Sequence, residues 1–225
     1  MTNRDNHLWL RCWRGQEIDF HQAKVNALLI QFWSKLNIPN IERVFVPLCG
    51  KSLDMIWLLE QGHQVIGVEL SPIAVRAFFQ ENNLLPVKRR HGKFTVWESG
   101  KLSILCGDFF SLKQTDLGPI DAVYDRAALT ALPEALRKMY VSHLRKIVPN
   151  SANVFLLTTE DEEEHQTLVQ ALGVSDEVKF LYSDDFDIKL AHVESFYESN
   201  PDTPNLDPTR TDYKVYWLTS KDTVK

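Results

Sequence analysis

An α/β fold built on a mostly parallel sheet is what this sequence predicts, and three observations carry it. Short apolar stretches alternate with amphipathic helical patterns through most of the chain. Residues 44–70, VFVPLCGKSLDMIWLLEQGHQVIGVEL, read as strand, loop, helix and strand, in the order of a nucleotide-binding unit. Ser71-Pro72 then opens another helix, because the serine oxygen accepts a free amide and proline at the first helical position forfeits no hydrogen bond.

In chain order, Val25, Leu28, Leu29, Phe32, Trp33 and Leu36 recur at helical spacing and predict a helix over 22–36, stopped before Pro39. Val44–Val46 is a short β-branched and aromatic strand. Ser52–Gln61 reads as a helix closed by Gly62, and Gln64–Leu70 as the next strand. The Ser71 helix runs to about Asn82. Residues 94–98 and 102–106 are extended, separated by the turn signal Ser99-Gly100, and Ala122–Tyr124 is a short buried strand. Leu136, Met139, Tyr140, His143, Leu144 and Ile147 line one helical face, with Arg145 and Lys146 in its last turn and Pro149 as a stop.

Val154–Thr158 is another strand. The acidic run Glu160–Glu164 is expected to open a solvated helix ending near Gly173, where negative charge meets the positive end of the macrodipole; it lacks EF-hand spacing. Residues 178–182, 188–196 and 213–218 read as extended, and residues 200–212, with three prolines, as a loop. The last two strands lack a helix between them, so an edge hairpin is expected.

With 225 residues, 44% of them hydrophobic, the chain is long enough for one sizeable core. One domain over 1–225 is expected, with 1–40 a helical prefix acting as a lid and 41–225 the sheet core. A net charge of −5 argues against a nucleic-acid partner. No apolar run approaches the length of a membrane span, and Met1–Arg14 lacks a signal peptide's apolar stretch, so a cytoplasmic protein is expected. Cys12, Cys49 and Cys106 form no CxxC pair and predict neither a metal site nor a disulfide framework.

In an open α/β sheet the first strand-to-helix loop contacts the ligand. Here it is Pro47-Leu48-Cys49-Gly50-Lys51, neither GxGxxG nor a Walker A loop, so a tightly cradled diphosphate is not expected. Glu69 ends the second strand, where a carboxylate accepts hydrogen bonds from both ribose hydroxyls. A nucleoside without phosphates meets both conditions. S-adenosyl-L-methionine is one, and its sulfonium suits aromatic faces and carbonyls better than an anion nest.

VPLCGKSLDMIWLLEQGHQVIGVELS (46–71), LCGDFF (105–110), YDRAALTALP (124–133) and the prefix LWLRCW…FH (8–21) together resemble the thiopurine S-methyltransferase family, including its bacterial selenium and tellurium detoxification relatives. The likeness is collinear over roughly 8–147. It implies a class I methyltransferase fold, a Rossmann-like seven-stranded sheet with one antiparallel strand near an edge and helices on both faces. It implies cofactor contacts from Trp13, Leu48, Glu69, Asp108, Phe109 and Arg126, and a substrate-facing Phe20. Arg126 is the candidate catalytic residue, a permanent cation favouring the anionic acceptor.

Each has a plainer reading: Trp9 and Trp13 fasten the prefix, Asp108 caps a turn, Asp125 pairs with Arg126 or a neighbour, Lys51 is solvated, and His143 is a satisfied core imidazole, neither it nor His21 being a base. After the strand at 154–158 the family's Tyr-Asp pair and Gly-Pro-Pro-Phe loop are missing, which leaves the acceptor open. The reaction expected is methyl transfer to a soft nucleophile: a thiol, a thiopurine-like sulfur, or a selenium or tellurium species. The partner expected is a small-molecule acceptor, with no nucleic acid and no membrane, for a monomer. The alternatives are a non-catalytic S-adenosylmethionine-binding regulator and a nicotinamide-dependent oxidoreductase.

Overall fold

The computed structural model of the chain describes residues 3–18, 20–36, 42–161, 173–198 and 208–221. They group into two compact units, residues 1–124 with 143–149 and residues 125–142 with 150–225.

In the first unit six strands lie in the order β3-β4-β5-β2-β1-β6. β1 (Arg43–Val46) pairs in parallel with β2 (Gln64–Glu69) on one side and β6 (Ala122–Arg126) on the other, and β2 pairs in parallel with β5 (Leu102–Cys106). β4 (Phe94–Ser99) runs antiparallel to both β5 and β3 (Val87–His91). The strand order turns between β1 and β6, so the loops leaving β1 and β2 lie where such sheets bind ligands. β1 and β2 are buried almost throughout, as strands covered on both faces are.

β3 has no counterpart among the sequence expectations, because VKRRH is polar and largely exposed and gives no alternation to detect. It is held by its ladder to β4, by Arg89 on Glu98, and by Lys88 over the Trp97 ring at 3.7 Å.

The helix expected over 22–36 is shorter. Asn26 caps it, its Oδ1 accepting from the Leu28 and Leu29 amides, so α2 covers Ala27–Phe32 and passes into a 3₁₀ turn, Trp33–Leu36. The prefix before it forms α1 (Asn3–Gly15). α3 (Asp54–Glu60) starts two residues later than the pattern suggests. Its first residue, Asp54, is buried, accepting from the Asn26 amide and from the Tyr124 hydroxyl. α4 (Pro72–Glu81) matches its signal: the Ser71 hydroxyl accepts from the Ala74 amide. A short helix α5 (Gln114–Leu117) follows β5.

In the second unit β7 (Asn153–Asp161), β9 (Thr209–Ser220) and β8 (Phe186–Glu198) form the order β7-β9-β8, antiparallel throughout. The expected hairpin is therefore present as the β8–β9 pair. The sheet has more antiparallel pairing than the single edge strand the family likeness implies. α6 (Ala128–Ala131) and α7 (Glu134–Ile147) follow β6 in sequence.

Residues 178–182, read as extended, are helical: α8 spans Asp176–Tyr182. Val178 and Tyr182 are four residues apart and both buried, while Asp176 and Glu177 sit in the first turn, so the helical period decides a segment too short to show it alone. Glu160 and Asp161 continue β7 instead of opening a helix; the rest of the acidic segment lies outside the described residues, as do residues 200–207 of the predicted loop, whose last residues, 209–212, instead begin β9 by pairing with β8.

Candidate functional site at the tips of β1, β2 and β5

Glu69 is the last residue of β2 and is buried. Its Oε2 accepts from the Gly50 amide at 2.9 Å and its Oε1 from the Ser71 amide at 2.6 Å. A carboxylate has about four lone-pair sites, so these two bonds do not exhaust its capacity to accept. Burial pushes its carboxyl up to about 7, against the pull of the Ser71, Gly50 and Leu70 amides.

The cysteine in the β1 loop has a packing reason. A Cβ added at Gly67 would lie 2.8 Å from Cys49 Sγ, so the thiol occupies the space Gly67 leaves on β2. The Cys49 amide also donates to the Val68 carbonyl, which fastens the loop to the strand before Glu69. Burial pushes the Cys49 thiol well above its ordinary range, with Glu69 adding to the rise, so it is a packing group and not a nucleophile.

Leu48 and Gly50 both adopt left-handed backbone, at φ 46° and 54°. For leucine this is strained, and such strain gathers where a loop must present its backbone in one fixed way. Gly50 has a further constraint, since an added Cβ would lie 3.3 Å from the Trp13 ring. Trp13, on α1, is buried against this loop. Its ring meets Phe20 edge-on at 5.7 Å, and Trp9 also meets Phe20 edge-on at 5.6 Å. Phe20 itself is half exposed. The prefix is thus fastened to the loop, and it also brings an aromatic cluster to it.

At the tip of β5, the Gly107 amide donates to the Glu69 carbonyl at 2.8 Å. Gly107 has no room for a side chain, because a Cβ would come within 2.5 Å of the Phe94 ring. Asp108 next to it is half-buried and caps the following 3₁₀ turn, Phe109–Ser111, through Oδ1 on the Phe110 amide. The Phe109 ring is buried, edge-on to Phe110 and to His143, so any ligand contact from this residue would come through its backbone. His143 Nε2 donates to the Phe109 carbonyl, and burial lowers its affinity for a proton, in keeping with a satisfied imidazole. Lys51 is paired with Glu81 at 2.8 Å, and is not simply solvated as expected.

Arg126, the last residue of β6, is half-buried, and Ala127 after it turns left-handed at φ 61°. Asp125 is fully buried. Its Oδ1 accepts from the Ala128 and Leu129 amides and its Oδ2 from the Tyr140 hydroxyl at 2.6 Å, so it anchors α6 and α7. Burial pushes its carboxyl up to about 6. Among the described residues no cluster of metal-ligating side chains is present.

The family model described as thiopurine S-methyltransferase matches residues 4–221. The chain belongs to the thiopurine S-methyltransferase family. The protein of that name from Stutzerimonas stutzeri is 60% identical over 221 residues, covering 98% of this chain and 93% of the relative. One from Nitrosospira multiformis is 41% identical over 213 residues, covering 95% and 97%. The crystal structure of a SAM-dependent methyltransferase from Anabaena variabilis superposes with a TM-score of 0.61 at 15% identity, covering 95% of this chain and 94% of that one, a likeness of fold.

The class I methyltransferase fold expected from the sequence is therefore the fold of this chain, and as a member of the thiopurine S-methyltransferase family it is an S-adenosylmethionine-dependent methyltransferase. The oxidoreductase and the non-catalytic regulator both give way to this assignment. No described helix is long and apolar enough to cross a membrane.

Proposed function

We propose that the chain methylates a soft nucleophile, a thiol, a thiopurine-like sulfur or a selenium or tellurium species, and that the tips of β1, β2 and β5 hold the methyl donor. S-adenosyl-L-methionine supplies, when bound, an electrophilic methyl group on a sulfonium. The observation that carries the reading is Glu69: a buried carboxylate at a strand tip, oriented by backbone amides, with accepting capacity left for a pair of vicinal hydroxyls.

Trp13 and Leu48 would close the donor side, and Asp108 and the Phe109 backbone would flank the adenine. The donor fits this loop better than a dinucleotide does, since the loop lacks the glycines of a diphosphate cradle and the Trp13 ring lies 3.3 Å from a Cβ added at Gly50. Phe20 would face the acceptor. The chain's own part is alignment and exclusion of water, because an ionised thiol or selenol needs no general base. Arg126 would hold the acceptor in its anionic form.

Calorimetry with S-adenosylmethionine tests the donor site: Glu69→Ala is expected to weaken binding by about 1–3 kcal/mol, the range for hydroxyl donors left without an acceptor. Unchanged affinity would remove Glu69 from the site. Arg126→Ala is expected to lower turnover more than donor affinity, and equal loss of both would leave it only a donor-binding role. Labelled donor turned over against thiols, thiopurines, selenite and tellurite identifies the acceptor. We further propose a monomeric cytoplasmic protein, without a nucleic-acid partner, whose residues 1–225 unfold as one domain; coincident transitions by two probes would support the last point.

A further inference from the structure

The buried face of β9 is polar where a buried strand face is ordinarily apolar. Arg210, Asp212, Lys214 and Tyr216 alternate onto that face and all four are buried. Register places Glu160 of β7 and Ser195 of β8 on either side of Asp212.

Most of this polarity is satisfied internally. Arg210 Nε and Nη2 donate to Asp212 Oδ1 and Oδ2 at 2.8 and 3.0 Å, and Lys214 Nζ donates to Glu160 Oε2 at 2.6 Å. The Ser195 hydroxyl donates to Asp212 Oδ1 at 2.7 Å and accepts from Arg210 Nη2 at 3.2 Å. Glu160 Oε1 accepts from the Tyr216 and Thr158 hydroxyls. Charges cancel pair by pair.

One group stands outside this balance. Arg210 Nη1 is buried and meets no acceptor among the described residues, although the side chain carrying it is only 2% exposed. A buried cationic donor without an acceptor is costly, and such a group calls for a partner beyond the described side chains, a water or an ion. Asp212 holds one edge of the guanidinium and Ser195 steadies Nη2, so Nη1 is turned away from Asp212 with its plane fixed.

We propose that this face is an anion site in which Arg210 Nη1 receives a small monoanion, a carboxylate or an inorganic oxyanion. Nη1 offers donors on one edge of the guanidinium only, which suits a small singly charged ligand better than a dianion. The site is independent of the methyl-donor reading.

Formate, nitrate and sulfate titrated separately into the full chain at constant ionic strength, followed by NMR of the arginine side-chain resonances, test it. A saturable one-site response to formate or nitrate, with little response to sulfate, is expected; the stronger of the two tells a carboxylate from an inorganic source. Arg210→Lys keeps the charge and lacks Nη1, and is expected to weaken the response at least about tenfold, while Ser195→Ala weakens it less.

Donor binding unchanged in Arg210→Lys shows that the variant is folded and keeps this test apart from the methyl-transfer reading. If that variant loses donor binding, Ser195→Ala becomes the deciding variant. A linear, unsaturable response, or one that Arg210→Lys leaves intact, overturns the proposal.

Discussion

Glu69 and Glu160 are both carboxylates near strand ends, and the chain stabilises them in different ways. Glu69 is held by backbone amides of Gly50 and Ser71, whereas Glu160 is held by side chains: the Lys214 ammonium and the Tyr216 and Thr158 hydroxyls. Amides are dipoles that orient a carboxylate without neutralising it, so Glu69 keeps charge and lone pairs to offer a ligand. An ion pair closed by two hydroxyls has little left to offer. A buried acid thus signals a binding site through what fixes it, more than through being buried.

The largest effect separating the two belongs to the ion pair. Lys214→Met leaves Glu160 without its cation and is expected to cost about 3–5 kcal/mol in denaturant unfolding, while adding Glu160→Leu to it recovers most of that loss. A single-variant cost below about 1 kcal/mol would mean that water reaches Glu160 freely, and the contrast with Glu69 would disappear.

Next in size is the pH response of the amide-held site. Burial raises Glu69 from 4.5 to about 7, so between those values the folded chain keeps a proton that the unfolded chain has released. The stability this proton contributes is complete below 4.5 and is lost as pH rises through 7, about 3 kcal/mol at most. Asp125, pushed up to about 6, adds a loss of the same sign over a narrower window. Donor binding should run the opposite way: ribose hydroxyls prefer the ionised carboxylate, so affinity rises with pH up to about 7 and is flat above it. Calorimetry from pH 5.5 to 8 checks the slope. A flat profile for the wild-type chain would show that Glu69 is already ionised and hydrated at the lower end.

The sequence makes one of these regions readable and hides the other. Glu69, Gly50 and Ser71 announce themselves because strand end, turn glycine and helix cap each have local signals. The role of Cys49 does not, since its partner Gly67 is eighteen residues on and only the fold brings them together. On β9 the alternation was legible, but it gives only two faces, and residues 210–216 do not tell which is buried; an inward Arg-Asp-Lys series contradicts the ordinary preference. β3 and α8 were missed for a related reason: pairing to β4 makes one strand from charged residues, and burial of Val178 and Tyr182 selects helix over strand.

The smallest expected effect concerns Lys51, which sits in the donor loop yet points its ammonium at Glu81, the last residue of α4, at 2.8 and 3.0 Å. Glu81 is half exposed, so water and salt screen the pair and Lys51→Ala is expected to cost no more than about 1 kcal/mol. Because its charge is engaged by Glu81, donor affinity should stay within about twofold, less than 0.5 kcal/mol. If Lys51→Ala instead lowers donor affinity as much as Glu69→Ala while leaving stability intact, the loop binds through a side-chain cation, and the amide-held carboxylate is no longer what distinguishes this half of the chain.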